Sequence, residues 1–369
     1  MAVSIELASK QDRYQQHIGI YNYGGLFMAT MCSAQIKQAN SQFEIINKDI
    51  PKPDAQQVRV KVHACGVCHS DVLTQNGQWP GIHYPRSPGH EITGVIDEIG
   101  PAAPPIWQKG QRVGVGWNGG YCGYCNACRH GDFIDCENLQ TPGISYDGGY
   151  SQYVIVPVNA LVALPDELSF VEAAPILCAG ITTFNALRHS GAIAGDTVAI
   201  QGIGGLGHLA IQFANKMGFK TIAISSGKDK EPLVKKLGAH VYINAENDNP
   251  AAILKKHGGA RVILSTAPSG KAMSALVDGL GRKGVLLVIG AGFDPIQVTP
   301  IQLISGKHRL QGWPSGNPID SEEALRFCVN HGVRAMIEEF PINQVQQAFD
   351  KMLKGEVRFR AVLTFSSKV

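Results

Sequence analysis

A chain of 369 residues with 44% hydrophobic and 17% charged side chains is long enough for two or three domains and too apolar to be intrinsically disordered. Its 33 basic and 30 acidic residues leave a net charge of +3, which gives no electrostatic reason to expect a nucleic acid or an anionic membrane as a partner. The sequence has no run of about 18 uncharged apolar residues and no basic N-terminal region followed by an apolar core, so it predicts a cytoplasmic protein without a membrane span.

The first half of the chain carries strand-like patterns. Residues 1–27 are rich in Gln and Tyr without a sustained period, and they predict an irregular extension. Short runs of alternating apolar and polar residues then follow, separated by Gly and Pro, and they predict a strand-rich unit with long loops. The predicted strands are 58–62, 94–96 and 112–115.

From about residue 180 the pattern changes to strands that alternate with helices. This alternation predicts a parallel sheet covered by helices on both faces, so the fold class is α/β with a doubly wound sheet. After residue 314 one more helix, 322–330, and one strand, 359–363, are predicted. The strands predicted before that point are 197–201, 221–224, 241–243, 262–264 and 285–289, and the helices are 205–217 and 231–237.

Four of the nine cysteines lie in one short segment. An odd number of cysteines without a signal peptide is a poor disulfide framework, so clustered cysteines are better explained as metal ligands. Two-residue gaps let a turn direct two sulfurs at one point, and four thiolates close a tetrahedron around a structural zinc. Four free thiols are the alternative. An iron–sulfur run fits poorly because seven residues separate the last two cysteines and Glu137 follows. The four residues are Cys122, Cys125, Cys128 and Cys136.

A second motif predicts a dinucleotide-binding turn. Gly202, Gly204 and Gly207 match G-x-G-x-x-G, follow a predicted strand and open a predicted helix. The first glycine permits the tight turn, the second lets the backbone approach a pyrophosphate, and the third allows close helix–strand packing. Gly205 and Leu206 complete the turn, whose N–H groups face the phosphates. An ordinary glycine-rich turn is the alternative.

The end of the next strand bears on the choice of nicotinamide cofactor. An acidic residue about 20 positions after the glycine turn would accept from the ribose of NAD. The strand instead ends in Ser225 and Ser226, and Lys230 follows, so donors and positive charge are available for a 2′-phosphate. We therefore expect NADP(H) rather than NAD(H). Asp229 opposes this expectation, since it could cap a helix or reach the ribose.

Three further segments complete a pattern that resembles the zinc-dependent medium-chain alcohol dehydrogenases, close to the cinnamyl-alcohol and microbial branches. The resemblance extends from about residue 30 to the end and rests on the order of all these motifs. It implies a GroES-like catalytic zinc domain, 28–178 and 315–369, and a Rossmann domain, 179–314. The three segments are Cys68-His69-Ser70-Asp71, Gly89-His90-Glu91 and Cys178-Ala-Gly-Ile-Thr182.

The resemblance implies that Cys68, His90 and Cys178 bind a catalytic zinc. A site of two cysteines and one histidine is the one known for alcohol dehydrogenase. Two thiolates and a neutral imidazole leave the centre formally neutral, with one position for substrate, whereas four thiolates leave none. His90 alone would be better explained as a core histidine, but the flanking Gly89 and Glu91 and the cysteine motifs favour a ligand.

Neighbouring residues acquire implied roles from the same resemblance. Ser70 takes the substrate proton, with a capping hydroxyl as the alternative. Asp71 orients the zinc histidine, and Glu91 lies behind the zinc. His69 and Arg360 contact the cofactor pyrophosphate.

Three more positions concern the cofactor ring and the substrate. Thr182 contacts the nicotinamide, and Trp79 and Trp117 wall the substrate pocket or simply pack in the core. Many relatives carry a histidine where this chain has Leu73, so the proton relay is expected to end at Ser70, the ribose or water.

The function implied is reversible hydride transfer between a primary alcohol or aldehyde and a nicotinamide, with two zinc ions per chain and a dimer or tetramer of identical subunits. A polyol or secondary-alcohol dehydrogenase and a non-catalytic nucleotide-binding relative are the alternatives. A nucleic-acid-binding zinc module would need a basic cluster near the four cysteines, where only Arg129 and His130 lie.

Overall fold

A computed structural model describes residues 29–365, so the predicted extension 1–27 lies outside the described residues. The first part of the chain forms short, mainly antiparallel strands. A hairpin of the first two strands precedes an antiparallel sheet, in which the third strand pairs with the fourth and sixth. The elements are β1 (Thr30–Ile36), β2 (Phe43–Asp49), β3 (Gln57–Val67), α1 (Asp71–Asn76), β4 (Ile92–Ile99), β5 (Arg112–Val115), α2 (Asn126–Arg129), β6 (Tyr153–Pro157), β7 (Val162–Ala163) and α3 (Phe170–Ala173).

The middle of the chain forms a six-stranded parallel sheet. Its central strands are short apolar runs whose side chains are buried on both faces, as expected for a sheet covered by helices. The elements are α4 (Ala179–Arg188), β8 (Thr197–Gln201), α5 (Gly207–Lys216), β9 (Lys220–Ser225), α6 (Glu231–Lys236), β10 (Val241–Asn244), α7 (Pro250–Lys256), β11 (Ala260–Ser265), α8 (Gly270–Ser274), β12 (Leu280–Val288), α9 (Pro300–Gly306) and β13 (Arg309–Gly312).

The strand order of this sheet, β10-β9-β8-β11-β12-β13, reverses direction between β8 and β11. Ligands of open parallel sheets bind where the order reverses, outside the carboxyl ends of the strands. The crevice after β8 is therefore the expected position for a nucleotide.

The last part of the chain returns to the first sheet. That sheet has the order β14-β15-β3-β4-β5-β7, and Ala361 of β15 lies opposite Val67 of β3 in an antiparallel pair. Arg360 is thereby brought next to the loop that begins at Cys68. The elements are α10 (Pro318–His331), β14 (Ile337–Pro341), α11 (Val345–Leu353) and β15 (Arg360–Thr364).

The predicted fold class, a strand-rich unit plus a doubly wound parallel sheet, is confirmed. The prediction of one helix after residue 314 is wrong, because α11 follows α10. This helix has only nine residues and follows a strand and a short 3₁₀ turn, so its periodic signal is brief. The sequence interpretation also missed α4, which is buried along most of its length and therefore lacks a polar face.

Three aromatic rings hold helices from different parts of the chain together. Phe184 of α4, Phe213 of α5 and Phe327 of α10 have ring centroids 5.2–5.8 Å apart. The tilted arrangement is one that aromatic pairs prefer, and the rings cover a large apolar area. Helix α10 thus packs against the helices that flank the parallel sheet.

Within residues 29–365 no single helix has both the length and the apolar character needed to cross a membrane. One bent pair, Phe170–Leu177 with Ala179–Arg188, passes the length and composition test only when its two parts are joined.

We predict that Phe213→Ala lowers stability by about 3–5 kcal/mol, because a fully buried ring leaves a cavity that the packed helices cannot fill. The matched control is Phe293→Ala, since Phe293 is 98% exposed and its loss should change stability by less than about 0.5 kcal/mol. Thermal unfolding followed by circular dichroism measures both, and equal melting temperatures would contradict the packing described.

Candidate metal and nucleotide sites

The four clustered cysteines converge in a surface lobe around α2. Their sulfurs all lie within 4.8 Å of one another, and the Cys136 Sγ atom is 3.6 Å from that of Cys122 and 3.9 Å from that of Cys125. Zinc–sulfur bonds of about 2.3 Å give a tetrahedron with edges of about 3.8 Å. The sulfur positions therefore fit one zinc ion, with Cys128 as the fourth ligand.

Backbone N–H groups point at these sulfurs, as a negatively charged cluster requires. Cys125 donates to Cys122 Sγ at 3.4 Å, and Asn138 donates to Cys136 Sγ at 3.3 Å. Although desolvation raises the pKa of Cys122, hydrogen bonds from the backbone of Tyr124 and Cys125 lower it to about 6. Cys122 thus favours the thiolate form that binds metal, whereas burial raises the pKa of Cys128 to about 12.

A second cluster forms from residues far apart in the sequence. Cys68 follows β3, Cys178 immediately precedes α4, and their sulfurs lie 3.8 Å apart. Nε2 of His90 lies 3.3 Å from Cys178 Sγ. The ligand atoms of these three residues and of Glu91 all lie within 4.8 Å of one another. The three predicted zinc ligands are therefore brought together.

Asp71 organises this second cluster. Its Oδ1 lies 3.1 Å from Nδ1 of His90, and its Oδ2 accepts from the backbone N–H of Cys68 at 2.9 Å. Because a carboxylate only accepts, Nδ1 carries a proton, and Nε2 is the ring atom directed at the sulfurs. Burial alone lowers the pKa of His90, but the charges of Asp71 and Cys68 outweigh it and raise that pKa well above its ordinary value. The second ring nitrogen thus has the carboxylate partner that metal-bound imidazoles use.

Glu91 and Arg360 form a buried ion pair behind the cluster. Arg360 donates from Nη2 to Glu91 Oε1 and to the carbonyl of Val67. Glu91 Oε2 is buried and has no hydrogen-bond partner among the described residues. Burial raises the pKa of Glu91 to about 7, although the Arg360 guanidinium lowers it. An added Cβ at Gly66 would overlap Oε2, so glycine is needed there.

The remaining predicted residues of this region lie around the cluster. Ser70 is half-buried at the start of α1 and makes no side-chain capping hydrogen bond, so the capping alternative is not observed. His69 is exposed. Thr182 lies one turn after Cys178 on α4 and donates its backbone N–H to the Cys178 carbonyl at 3.0 Å.

One tryptophan contacts His90, and a second tryptophan packs against the first. The ring of Trp117 contacts the imidazole edge-to-face, with centroids 5.0 Å apart, and Trp79 packs against Trp117 with centroids 5.8 Å apart. Trp79 is 43% exposed. An apolar wall therefore lies beside the cluster and remains partly open to solvent.

The glycine turn connects β8 to α5. Gly202 has a φ of +92°, a conformation that side chains rarely adopt, and an added Cβ at Gly207 would overlap the carbonyl oxygen of Gly202. An added Cβ at Gly204 would meet nothing within 4 Å, which leaves room for a ligand against the backbone. Leu206 immediately precedes the helix, and Gly205 faces Arg360, whose Nη1 would be 2.9 Å from an added Cβ.

The sequence interpretation missed His208, which joins this turn to the last part of the chain. Its Nδ1 donates to the carbonyl of Gly204 at 3.0 Å, its Nε2 accepts from the N–H of Met336 at 3.2 Å, and its ring stacks on Phe359. Burial lowers the pKa of His208 to about 4, in keeping with a neutral ring that both donates and accepts. No periodic signal identifies such a residue, because its partners are distant in sequence.

The end of β9 carries no carboxylate at its tip. Lys230 donates from Nζ to Ser225 Oγ at 3.3 Å, and Ser226 is exposed. Asp229 lies in a short 3₁₀ turn against Gly227 and does not cap α6. The end of β9 is therefore followed by hydroxyl and ammonium donors and by one carboxylate, that of Asp229.

Both metal clusters fit zinc by the chemistry of their donors. Four sulfurs at tetrahedral spacing match a closed structural site, whereas two sulfurs and one imidazole match a site with an open position. The unpartnered oxygen of Glu91 supports a cation at the second cluster, because a buried carboxylate oxygen without a donor is costly.

Comparisons with known proteins agree with this arrangement. Residues 54–166 match the alcohol dehydrogenase GroES-like domain, and residues 205–330 match the zinc-binding dehydrogenase domain. The alcohol dehydrogenase patD of Penicillium expansum is 43% identical over 91% of this chain and 98% of its own length. An alcohol dehydrogenase of Geobacillus stearothermophilus is 38% identical over 90% of this chain and 99% of its own.

Solved structures extend the comparison to the fold. A cinnamyl alcohol dehydrogenase from Sorghum bicolor superimposes with a TM-score of 0.82 at 29% identity, covering 91% of this chain and 98% of its own. A fold of one GroES-like and one Rossmann unit with two thiolate metal clusters defines a zinc-binding dehydrogenase. The chain belongs to the zinc-binding medium-chain alcohol dehydrogenase family, and the resemblance inferred from the motifs is confirmed.

We predict that Gly207→Ala lowers the melting temperature of the nucleotide-free protein, because its methyl group would overlap the Gly202 carbonyl and force the turn open. Gly204→Ala serves as the control, since its methyl group points into open space and should leave stability unchanged. Differential scanning calorimetry measures both variants, and a larger loss for Gly204→Ala would contradict the turn geometry.

Proposed function

We propose that this alcohol dehydrogenase catalyses reversible hydride transfer between a primary alcohol or aldehyde and NADP(H) at the Cys68–His90–Cys178 centre. The observation that carries the proposal is the convergence of two sulfurs and one imidazole nitrogen beside the nucleotide crevice. Zinc held there would act as a Lewis acid on the substrate oxygen. The four-cysteine lobe would hold a second zinc that only supports the fold.

The residues around the centre have separate tasks in this proposal. Ser70 Oγ, without a capping bond, holds the substrate hydroxyl and takes its proton. Asp71 keeps His90 in the tautomer that leaves Nε2 free. Glu91 neutralises Arg360 in the buried space behind the centre. Leu73 stands where many relatives have a histidine, so the proton leaves through Ser70, the ribose or water.

The cofactor lies along the glycine turn in this proposal. The N–H groups at the start of α5 bind the pyrophosphate with help from Arg360, which faces Gly205, and from His69. Thr182 on α4, one turn from Cys178, contacts the nicotinamide ring. These residues would hold the nicotinamide ring beside the substrate, and hydride transfer would need the two reacting carbons about 3–3.5 Å apart.

Aldehydes and primary alcohols with apolar chains fit the tryptophan wall beside His90. Trp117 and Trp79 offer ring surface and no hydrogen-bond acceptor, so they suit an aliphatic or aromatic chain better than a row of hydroxyls. A polyol would leave several hydroxyls without partners against this wall.

We also propose that the active form is a homo-oligomer in the cytoplasm, where clustered thiols stay reduced. Strand β13 is an edge of the parallel sheet and is largely exposed, with Leu310 40% exposed. Ile301 and Ile304 of the preceding helix are 64% and 70% exposed. An exposed edge strand next to these apolar side chains favours pairing with a second copy, which would continue the sheet.

The central experiment counts zinc per chain and measures aldehyde reduction on the same preparation. We expect two zinc ions, turnover that stops with a chelator, and loss of one zinc and of turnover in Cys178→Ala. Cys32→Ala removes a cysteine outside both clusters and should retain both zinc ions and turnover. A panel of ethanol, benzyl alcohol, cinnamaldehyde and sorbitol tests the substrate class. Turnover that survives in Cys178→Ala, or a preference for sorbitol, would refute the proposal.

The cofactor choice is tested by comparing kcat/KM for NADPH and NADH. Wild type should favour NADPH, and Lys230→Ala should reduce kcat/KM for NADPH about tenfold or more, because a charge-assisted hydrogen bond to phosphate is lost. The value for NADH should not change. Lys235→Ala is the matched control, since that lysine pairs with Glu231 on the exposed face of α6. A wild-type preference for NADH would be evidence against this choice.

A further inference from the structure

Tyr150 lies next to the Cys68–His90–Cys178 centre, although no sequence motif indicated it. Its side chain is completely buried, and its hydroxyl donates to Asp71 Oδ2 at 2.8 Å. The hydroxyl is therefore the third donor to that carboxylate, after Cys68 N–H and His90 Nδ1. Asp71 is itself only 2% exposed, so solvent cannot readily replace a missing donor.

The chain gives this tyrosine a fixed position beside the histidine. Its backbone N–H donates to the carbonyl of Pro88 at 3.0 Å, and the N–H of Gly149 donates to the carbonyl of Gly89 at 2.9 Å. An added Cβ at Gly89 would lie 2.5 Å from the tyrosine ring, so the glycine before His90 makes room for it. The segment that carries Tyr150 is thus bonded to the segment that carries the histidine.

We propose that Tyr150 is a positioning residue for this centre: its hydroxyl holds the Asp71 carboxylate in the orientation that keeps Nε2 of His90 turned toward the two sulfurs. The two Asp71 oxygens have different partners. Oδ1 accepts from the imidazole of His90, and Oδ2 accepts from the Tyr150 hydroxyl and the Cys68 backbone N–H. Without the hydroxyl, the carboxylate can rotate about its χ2 torsion and the imidazole loses its fixed partner.

The inference rests on the proposed function, because it assumes that the centre holds zinc. The alternative is that the tyrosine hydroxyl only satisfies a buried carboxylate and adds to overall stability. The two roles differ in one respect. If the hydroxyl positions Asp71, its removal changes how the centre holds the metal. If the hydroxyl only adds stability, its removal lowers the melting temperature without a specific effect on the metal.

The test is the rate at which zinc leaves the full-length protein, followed with a colorimetric chelator. Cys178→Ala identifies the phase that belongs to this centre, because that variant lacks it. In Tyr150→Phe the zinc of this centre should leave about tenfold faster than in wild type. That factor is at the lower end of the losses seen when a residue that hydrogen-bonds a metal ligand is removed. The absorption bands of the cobalt-substituted centre should shift as well.

Tyr146→Phe is the matched control. Tyr146 lies four residues before Tyr150, but its hydroxyl donates to the backbone carbonyl of Gly119 at 2.7 Å. Its loss should leave zinc release and the cobalt spectrum unchanged. Tyr150→p-aminophenylalanine retains a donor and should restore the slow release, which tests the inference even if Tyr150→Phe folds poorly.

A double-mutant cycle with Asp71→Asn separates the two roles. If the tyrosine acts through the carboxylate, Tyr150→Phe adds nothing to the release rate of Asp71→Asn. Additive rates, or a Tyr150→Phe release rate equal to that of Tyr146→Phe, would overturn the inference while leaving the zinc centre itself intact. A wild-type protein without zinc at the Cys68–His90–Cys178 centre would refute the proposed function instead.

Discussion

The close approach of two sulfur atoms is the constraint around which this molecule is organised. Cys68 and Cys178 belong to different parts of the chain, yet their Sγ atoms lie 3.8 Å apart beside an imidazole nitrogen. Two thiolates this close, shielded from water, repel each other strongly unless a cation lies between them. The arrangement fits a metal site, and it ties the antiparallel sheet to the start of the helix that leads into the parallel sheet.

Two sets of buried hydrogen bonds surround this centre, one around Asp71 and one between Glu91 and Arg360. Asp71 bonds to His90, Tyr150 and the Cys68 backbone, while Glu91 bonds to Arg360. Arg360 in turn faces Gly205 in the turn after β8. A single arginine therefore touches both the metal cluster and the nucleotide crevice. Such an arrangement requires β15 to pair with β3, and this pairing joins residues almost 300 positions apart.

The two metal clusters differ in how far sequence alone could define them. The cysteines of the lobe lie within 15 residues, so their spacing restricts the geometry and predicts convergence. Cys68, His90 and Cys178 have no informative spacing, and they were identified through resemblance to a family. The glycine turn was predictable because its motif is local and its flanking strand and helix have clear periods. Tyr150 and His208 escaped notice, because each acts on a partner that only the folded chain brings near.

The sequence by itself determined local chemistry: the alternation of strands and helices, the glycines of the turn, the sulfur-rich lobe and the serine hydroxyls at the end of β9. These features depend on neighbours within a few residues, where backbone sterics and side-chain periodicity decide the outcome. The tertiary structure decided which distant side chains meet. It paired β15 with β3, directed one oxygen of Asp71 to His90 and the other to Tyr150, and left one oxygen of Glu91 without a donor. Such contacts depend on the register of strands and the packing of helices over the whole chain, and no local pattern contains that information.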